Sequence, residues 1–459
     1  MHAETIYAPA SGLAKAGIAI IRLSGPETGA VVSALTGRPL PAPRRAVRRQ
    51  FVDPVDGSAL DDGLLLWFPG PGSYTGEDLA ELHIHGGPAV RAAVLVALSR
   101  QPGCRLAEPG EFTRRAFLND RMDLSRAEGV VDLIEAETEA QRRQALRQAE
   151  GALFKRCEAW SEQLLRLAAH AEAVIDFPDE DLPEDIWERS AADIRALRDA
   201  LSREIDSGRR GERLRDGVRV AIVGPPNVGK SSLLNRLAGR DAAIVNARAG
   251  TTRDVVEVAL DFEGYPVTLS DTAGLRDAVE EIEAEGVRRA LRAARAADIV
   301  IRMSAPDVSE TVPPEALAGE GVVLIDVRNK ADMKGDDIAG NRPDIMAGDP
   351  AAPPTRAPAG GPLALSVHSG VGWEDFLQRL REAVESVAGL GEAAGLTRAR
   401  HREAVSESRD ALTRALEAPQ PDLRAEDIRL ALRAIGRITG RVDVEDLLDV
   451  VFRDFCIGK

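Results

Sequence analysis

GPPNVGKS, from Gly224 to Ser231, follows the apolar run Val218 to Val223 and precedes the helix-like stretch Ser232 to Leu237. The order is strand, phosphate loop, helix. The GxxxxGK[ST] spacing has a physical logic: glycines let backbone N–H groups wrap a β-phosphate, Lys230 reaches the β and γ oxygens, and the Ser231 hydroxyl ligates Mg²⁺. A glycine-rich turn matches such a pattern by chance fairly often, so the strand before it and the helix after it carry weight. By itself the loop leaves open which nucleotide is bound, and to what end.

Asn329-Lys330-Ala331-Asp332, after the apolar run Val322 to Val327, narrows the nucleotide. A carboxylate at Asp332 accepts from both N1–H and the 2-amino group of guanine, donors that adenine does not present together. Asp271-Thr272-Ala273-Gly274, after Val267 to Ser270, supplies a carboxylate for the Mg²⁺ water shell and a glycine amide for the γ-phosphate. Thr251-Thr252, ahead of Arg253-Asp254, adds a hydroxyl that completes Mg²⁺ coordination when γ-phosphate is present. Ser366-Val367-His368 is a weaker candidate for a guanine-contacting loop. The motif order predicts a GTP-binding domain. Leu275 stands where many small GTPases place a water-orienting glutamine, and a leucine cannot orient water. Another group must do so, and Glu280, Glu281, Glu283 and Glu285 lie just downstream, although each of them also reads as an exposed helix face. Asn227, inside the phosphate loop, is a candidate ligand for a monovalent cation.

Composition bounds the rest. A chain of 459 residues exceeds a single core, so two to four domains are expected. Asp and Glu outnumber Lys and Arg by 74 to 59, and the net charge of −15 argues against a broadly basic nucleic-acid coat while leaving local basic patches open. Cys104, Cys157 and Cys456 are too few and too scattered for a disulfide framework or a CxxC metal site. No apolar segment approaches the ~18 residues of a membrane span, and the expectation is a cytoplasmic protein with no membrane partner.

The first ~120 residues mix short apolar runs (Gly17 to Leu23, Leu64 to Phe68, Leu79 to Ile84) with Gly and Pro punctuation, which predicts α/β structure. From Met122 helical spacing takes over (Leu124, Ala127, Val130, Val131, Ile134) and continues to about Arg215, with a break at Asp176 to Pro183. An α/β pattern runs from Val218 to roughly Val387. Helix then returns from Thr397 to Phe455, interrupted near Pro419 to Pro421. Helix on both sides of an α/β unit predicts its insertion into a helical domain. The Pro-, Ala- and Gly-rich stretch Ile338 to Pro362 reads as a flexible loop.

With the phosphate loop, Gly250-Thr251-Thr252-Arg253-Asp254 and Asp271 to Leu275 in hand, the central region resembles the potassium-activated bacterial GTPases. Ser73-Tyr74-Thr75-Gly76-Glu77-Asp78, Leu82 to Gly87 with its HGG, Pro109-Gly110-Glu111-Phe112, Arg115 to Asp120 and the final Phe455-Cys456-Ile457-Gly458-Lys459 narrow the resemblance to the MnmE (TrmE) family of tRNA modification GTPases. It spans nearly the whole chain, the 338–362 stretch excepted. It implies a multidomain α/β plus all-α fold: an N-terminal α/β folate-binding and dimerisation domain (1–119), a discontinuous helical domain (120–215 and 386–459) and an inserted Ras-like P-loop G domain (216–385).

The resemblance also implies a homodimer whose G domains meet across GTP and K⁺. With an FAD-dependent partner, in a heterotetramer, such proteins add a carboxymethylaminomethyl or aminomethyl group to C5 of wobble uridine 34 in certain tRNAs, using a tetrahydrofolate derivative. Carried over by position, the GTP-contacting set is Asn227, Val228, Gly229, Lys230, Ser231, Ser232, Asn246, Arg248, Thr251, Thr252, Asp271, Thr272, Ala273, Gly274, Asn329, Lys330, Asp332, Ser366, Val367 and His368. Ser231 and Thr252 would ligate Mg²⁺; Asn227, Asn246, Arg248 and Thr251 would surround K⁺; Glu283 would orient the attacking water. Folate contacts carry over to Arg22, Glu81, Arg121 and Lys459, with Arg121 where the family often has lysine. Cys456 is either a near-terminal bystander or close to the one-carbon chemistry. Two departures stand out: Ala10 to Ala16 lacks the family's glycine-rich loop, and Arg248 replaces a frequently apolar residue.

A GTP-dependent RNA-binding or ribosome-assembly switch is the alternative. It calls for a KH-like GxxG element or a basic RNA face after the GTP-binding domain, where this chain instead has helix ending in Cys456-Ile457-Gly458-Lys459. A folate enzyme with a vestigial GTP-binding domain is disfavoured by four intact motifs.

Overall fold

The computed structural model describes residues 4–176, 186–240, 256–271, 293–308, 321–333, 361–389 and 395–442, with positions 448, 451, 452, 455 and 458 beyond them. Contacts divide the chain into two compact units: Met1–Val131, Gln148–Arg195 and Glu407–Lys459 form one, and Asp132–Arg147 with Ala196–Ser406 the other.

The first unit holds a six-stranded sheet of β1 (Thr5–Pro9), β2 (Ala16–Ser24), β3 (Val47–Val52), β4 (Ala59–Phe68), β5 (Leu79–Gly86) and β6 (Cys104–Leu106). The strand order is β3-β4-β5-β2-β1-β6, antiparallel except for β1 beside β6. The apolar runs expected from sequence are β2, the second half of β4, and β5. Ala19, Ile21 and Leu23 of β2 and Leu82 and Ile84 of β5 point to one face, as the period of two requires. That face is covered by Val31, Val32 and Leu35 of α1 (Thr28–Thr36) and Val94, Ala97 and Leu98 of α2 (Pro88–Ser99). On β1 the alternation serves two cores: Tyr7 joins this one, while Ile6 and Ala8 pack with Ala107 and Phe112 on the other side.

Helices follow: α3 (Glu111–Leu118), α4 (Leu124–Glu135), α5 (Glu139–Ala149), α6 (Ala152–Asp176) and α7 (Ile186–Asp216). Helix α6 reaches Asp176 and α7 starts at Ile186, and the break expected over Asp176 to Pro183 lies, past Asp176, outside the described residues. Leu153, Cys157, Trp160, Leu164, Leu167 and Ala171 recur along α6 at helical spacing and are buried, forming its inner stripe. Leu124, Ala127 and Val131 of α4 pack with Leu448, Phe452 and Phe455 from near the other end of the chain.

The second unit carries the other sheet: β7 (Val218–Val223), β8 (Val256–Phe262), β9 (Tyr265–Asp271), β10 (Ile299–Ser304), β11 (Val323–Arg328) and β12 (Leu363–Ala364). Its order is β12-β11-β10-β7-β9-β8, parallel apart from the β8–β9 hairpin. That hairpin turns at Glu263 and Gly264, with φ of 52° and 91°. Strand β7 is buried at every position but Arg219, as expected of a central parallel strand with both faces covered. Helix α8 (Lys230–Arg240) starts directly after the phosphate loop, and α9 (Trp373–Ala388) lays Phe376, Leu377, Leu380, Val384 and Val387 onto the core that includes Val220, Ile222, Leu233 and Leu237. Gly372 opens α9 at φ 70°, where an added Cβ would lie 2.0 Å from the Ala364 carbonyl oxygen, so only glycine fits. Helices α10 (Ala399–Glu417) and α11 (Pro421–Thr439) correspond to the returning helical pattern, with Pro421 at the first turn of α11. The stretch 338–360 lies outside the described residues. Among those described, no helix is long and apolar enough to cross a membrane.

Candidate functional site

The phosphate loop leaves β7 at its C-terminal end. Gly224 (φ 158°) extends the backbone against the Met303 carbonyl of β10, where an added Cβ would be 2.5 Å away. Asn227 (φ 63°) and Gly229 (φ 100°) then take left-handed conformations, the alternation that turns successive N–H groups toward one concavity. Lys230 is buried and its Nζ donates to the carbonyls of Gly224 and Pro225, both at 2.8 Å, so it lies across the loop. Ser231 and Ser232 follow in the first turn of α8 and are exposed, as is Asn227.

Asn329 ties three loops together. Its Nδ2 donates to the Val228 carbonyl at 2.7 Å, its Oδ1 accepts from the Val367 N–H at 3.0 Å, and its backbone N–H donates to Ser304 at 2.8 Å. The residue is 4 % exposed, so each of these bonds lies out of water. Gly229 is what lets it in, because a Cβ there would stand 2.3 Å from Asn329 Nδ2. Ala331 N–H donates to the Leu365 carbonyl at 3.0 Å, and Leu365 N–H to the Arg328 carbonyl at 2.9 Å, which joins the 329–332 and 365–368 loops along their backbones. Lys330 (φ 60°) donates from Nζ to Asp307. The Ser366 hydroxyl is the main cause holding the Asp332 pKa below the usual aspartate value; His368 adds a smaller pull. Asp332 is therefore an anion, able only to accept, as a partner for the two guanine donors must be.

Of the expected nucleotide contacts, the structure brings together Val228, Gly229, Lys230, Asn329, Asp332, Ser366 and Val367. Asn227, Ser231 and Ser232 share the same loop and helix start. The backbone of Asp271 ends β9, which pairs with β7 so that Asp271 lies opposite Ile222, two residues before the loop. Asn246, Arg248, Thr251, Thr252, Thr272, Ala273, Gly274 and Glu283 lie outside the described residues.

A separate polar site sits on the first unit. Arg22 and Glu81 face each other across β2 and β5, and Arg22 Nη2 donates to Glu81 Oε1 at 2.9 Å. The other carboxylate oxygen lies 3.5 Å from His83 Nε2. Tyr74 and Phe112 flank the guanidinium, with ring centres 5.5 and 5.7 Å away. Arg121 is exposed; its N–H donates to the Ala116 carbonyl, and its stem runs past Gly76. Gly458 (φ 100°) lies against the Pro9 carbonyl, where a Cβ would stand at 1.9 Å, which puts this one residue beside the end of β1. Lys459 and Cys456 lie outside the described residues. Cys104 and Cys157 are not in disulfides, and burial pushes the Cys104 thiol up to about 11, which leaves it un-ionised at neutral pH. Among the described residues no three His, Cys, Asp or Glu side chains form a metal cluster.

What the sequence reading missed is the brace beneath this site. Arg115 is fully buried and donates to Glu77 Oε2 at 3.0 Å, Glu111 Oε1 at 2.9 Å and the Glu4 carbonyl at 3.0 Å. Glu77 also accepts from Ser24 Oγ at 2.8 Å, and Asn119 Nδ2 donates to the Thr75 carbonyl at 2.7 Å. Burial alone would raise the Glu111 pKa, but bonds from Arg105, the Glu108 N–H and Arg115 outweigh it and bring it down to about 2. The motifs Ser73 to Asp78, Pro109 to Phe112 and Arg115 to Asp120 thus meet in one ion-paired core that fixes Tyr74 and Phe112 around Arg22. In the sequence these motifs carried only the family resemblance, because the partners of each charged residue come from other segments of the chain.

Comparison with known proteins bears on both sites. The family described as GTP-binding protein TrmE N-terminus matches residues 5–121, and that described as MnmE helical domain matches residues 124–456. The tRNA modification GTPase MnmE of Parvibaculum lavamentivorans is 54% identical over 460 residues, covering 99% of this chain and all of its own length. Those of Rhodospirillum rubrum and Paramagnetospirillum magneticum are 53% and 52% identical, each likewise covered along its full length. Among solved structures, the G domain of the T. maritima FeoB iron transporter aligns at 24% identity over 37% of this chain and 98% of its own, with a TM-score of 0.23. With relatives more than half identical from end to end, and residues 5–121 and 124–456 matched by that family's own domains, the chain belongs to the MnmE (TrmE) family.

Proposed function

We propose that this protein is a GTP hydrolase acting in tRNA modification. The observation that carries the GTP reading is Asn329, whose single side chain joins the phosphate loop at Val228 to the base-side loop at Val367, with the anionic Asp332 beside it. That arrangement suits a nucleotide whose phosphates sit at the start of α8 and whose base offers two adjacent donors. Lys230 would turn from the loop carbonyls to the β and γ oxygens, and the loop N–H groups would hold the β-phosphate. Ser231 and Thr252 would hold Mg²⁺, which supplies charge neutralisation on the phosphates. Asn227, with its exposed left-handed position, and Asn246, Arg248 and Thr251 would hold K⁺. Glu283 would orient the attacking water, replacing the glutamine that Leu275 displaces.

Arg22, Glu81, Arg121 and Lys459 would bind a tetrahydrofolate derivative. The fit rests on chemistry the first unit displays: a carboxylate and a guanidinium side by side for a pterin edge, two aromatic rings for stacking, and an exposed cation for a glutamate tail. The family resemblance supports residues 1–119 as the folate-binding and dimerisation domain, 120–215 and 386–459 as the helical domain and 216–385 as the GTP-binding domain. It also supports a homodimer working with an FAD-dependent partner on C5 of wobble uridine 34, with Cys456 near the one-carbon chemistry.

The test is mass spectrometry of tRNA from cells lacking this chain. Loss of the carboxymethylaminomethyl or aminomethyl group at the wobble uridine is expected; unmodified behaviour of the deletion, with tRNA unchanged, would overturn the reading. GTP turnover in KCl against NaCl tests the cation, with equal rates counting against it.

A further inference from the structure

Helix α8 begins at Lys230 and is continuous with the phosphate loop, yet one of its side chains belongs to the opposite end of the nucleotide site. Arg236 donates from Nη1 to the Val367 carbonyl, and its guanidinium lies 4.2 Å from the centre of the Trp373 ring at the start of α9. Gly370 (φ 90°) turns the intervening loop beneath it, where an added Cβ would come to 3.1 Å from Arg236 Nη2. Val367 is thereby held from two sides, its N–H by Asn329 Oδ1 and its carbonyl by Arg236. Its neighbour Ser366 is the group that most lowers the Asp332 pKa, and Leu365 beside it accepts from the Ala331 N–H at 3.0 Å, which ties this loop to the one that carries Asp332. The contacts close a ring: Val228 to Asn329, Asn329 to Val367, Val367 to Arg236, and back along α8 to the phosphate loop.

We propose that Arg236 is a positioning residue for guanine recognition: held over the Trp373 ring and bonded to Val367, it sets the 365–368 loop, and with it the Asp332 carboxylate on the adjoining loop, in register with the phosphate loop. This rests on the GTP reading of the site. The role needs arginine, because one planar group must stack on a ring and donate within its plane at the same time, which a lysine ammonium cannot do. Arg236 touches neither phosphate nor base in this scheme; it acts through Val367 and the 365–368 loop.

The experiment compares GDP with IDP, which lacks the 2-amino group that Asp332 accepts from, by titration calorimetry on the full chain. Wild type should prefer GDP. Arg236→Gln should lose about tenfold in GDP affinity and about twofold or less in IDP affinity, so that discrimination narrows. Arg236→Lys should fall between, and Trp373→Leu should reproduce the Arg236→Gln pattern. In an Asp332→Asn background Arg236→Gln should change discrimination no further. Equal losses for both nucleotides, or unaltered GDP affinity in folded Arg236→Gln, would overturn the proposal. If circular dichroism shows one variant unfolded, the other two decide. A wild-type chain that binds no GDP would instead sink the GTP reading itself.

Discussion

Arg22 and Glu81 occupy directly opposed positions on antiparallel neighbours, and the guanidinium donates to the carboxylate both from Nη2 at 2.9 Å and from Nε at 3.2 Å. Both side chains are less than one-fifth exposed, so neither is a rim charge. The pair offers a ligand a ready donor edge and acceptor edge at a fixed spacing. Glu81→Gln keeps the shape and removes the charge. It should weaken binding of a reduced folate by about tenfold, the value of one charge-assisted hydrogen bond. GDP affinity should be unchanged. Calorimetric titration with 5-formyltetrahydrofolate and with GDP checks both; equal folate affinity in the variant would remove Glu81 from the site.

Among the described residues Arg115 is the largest fully buried side chain, and it neutralises Glu77 and Glu111 together. Arg115→Met leaves half-buried Glu77 without its cation and buried Glu111 with Arg105 alone, and should destabilise by about 3 kcal/mol. Urea unfolding followed by tryptophan fluorescence reads the change. A loss below about 1 kcal/mol would mean that water replaces the guanidinium at little cost.

Glu111 gives this brace a pH signature. Its carboxyl pKa is lowered from 4.5 to about 2 in the folded chain, so its contribution is fully present above pH 4.5 and is lost as pH falls through that interval toward 2. The shift corresponds to about 3 kcal/mol. Wild type should therefore lose stability steeply between about pH 4.5 and 2. Glu111→Gln should be less stable at pH 7 and flatter across the acid range. Parallel slopes in the two proteins would assign the acid sensitivity elsewhere.

Gly229→Ala tests the clamp at the nucleotide site. The added methyl would meet Asn329 Nδ2 at 2.3 Å and would sit at φ 100°, so either Asn329 leaves Val228 or the loop deforms. GDP binding should fall by about a hundredfold or more. Asn329→Ala removes the amide itself and should do the same. Fluorescence titration with a labelled GDP measures both, and near wild-type affinity in Gly229→Ala would show that the loop opens freely.

These residues also show where sequence reading reaches and where it stops. The run Val218 to Val223 became β7 with the same limits, and the helix begins at Lys230, because glycine spacing and an apolar strand are local facts. Val322 to Val327 likewise became β11, shifted by one residue at each end. The resemblance placed Arg22 and Glu81 together in one site, and strand pairing made them opposite. The Arg115 brace was hidden, since Glu4, Glu77, Glu111 and Arg115 come from distant segments and nothing in a charged residue's neighbours says that it is buried. The double grip on Val367 was hidden for the same reason: Asn329 and Arg236 are far apart in sequence, and one partner atom is a backbone carbonyl.

The apolar patch on α4 has a consequence for biosynthesis. Leu124, Ala127 and Val131 are buried by Leu448, Phe452 and Phe455, which the ribosome makes much later. At about 5–20 residues per second, the roughly three hundred residues between them keep that patch uncovered for some tens of seconds on every nascent chain. Throughout that interval it is a natural target for a ribosome-associated chaperone, and translational pausing within the central unit would lengthen its exposure.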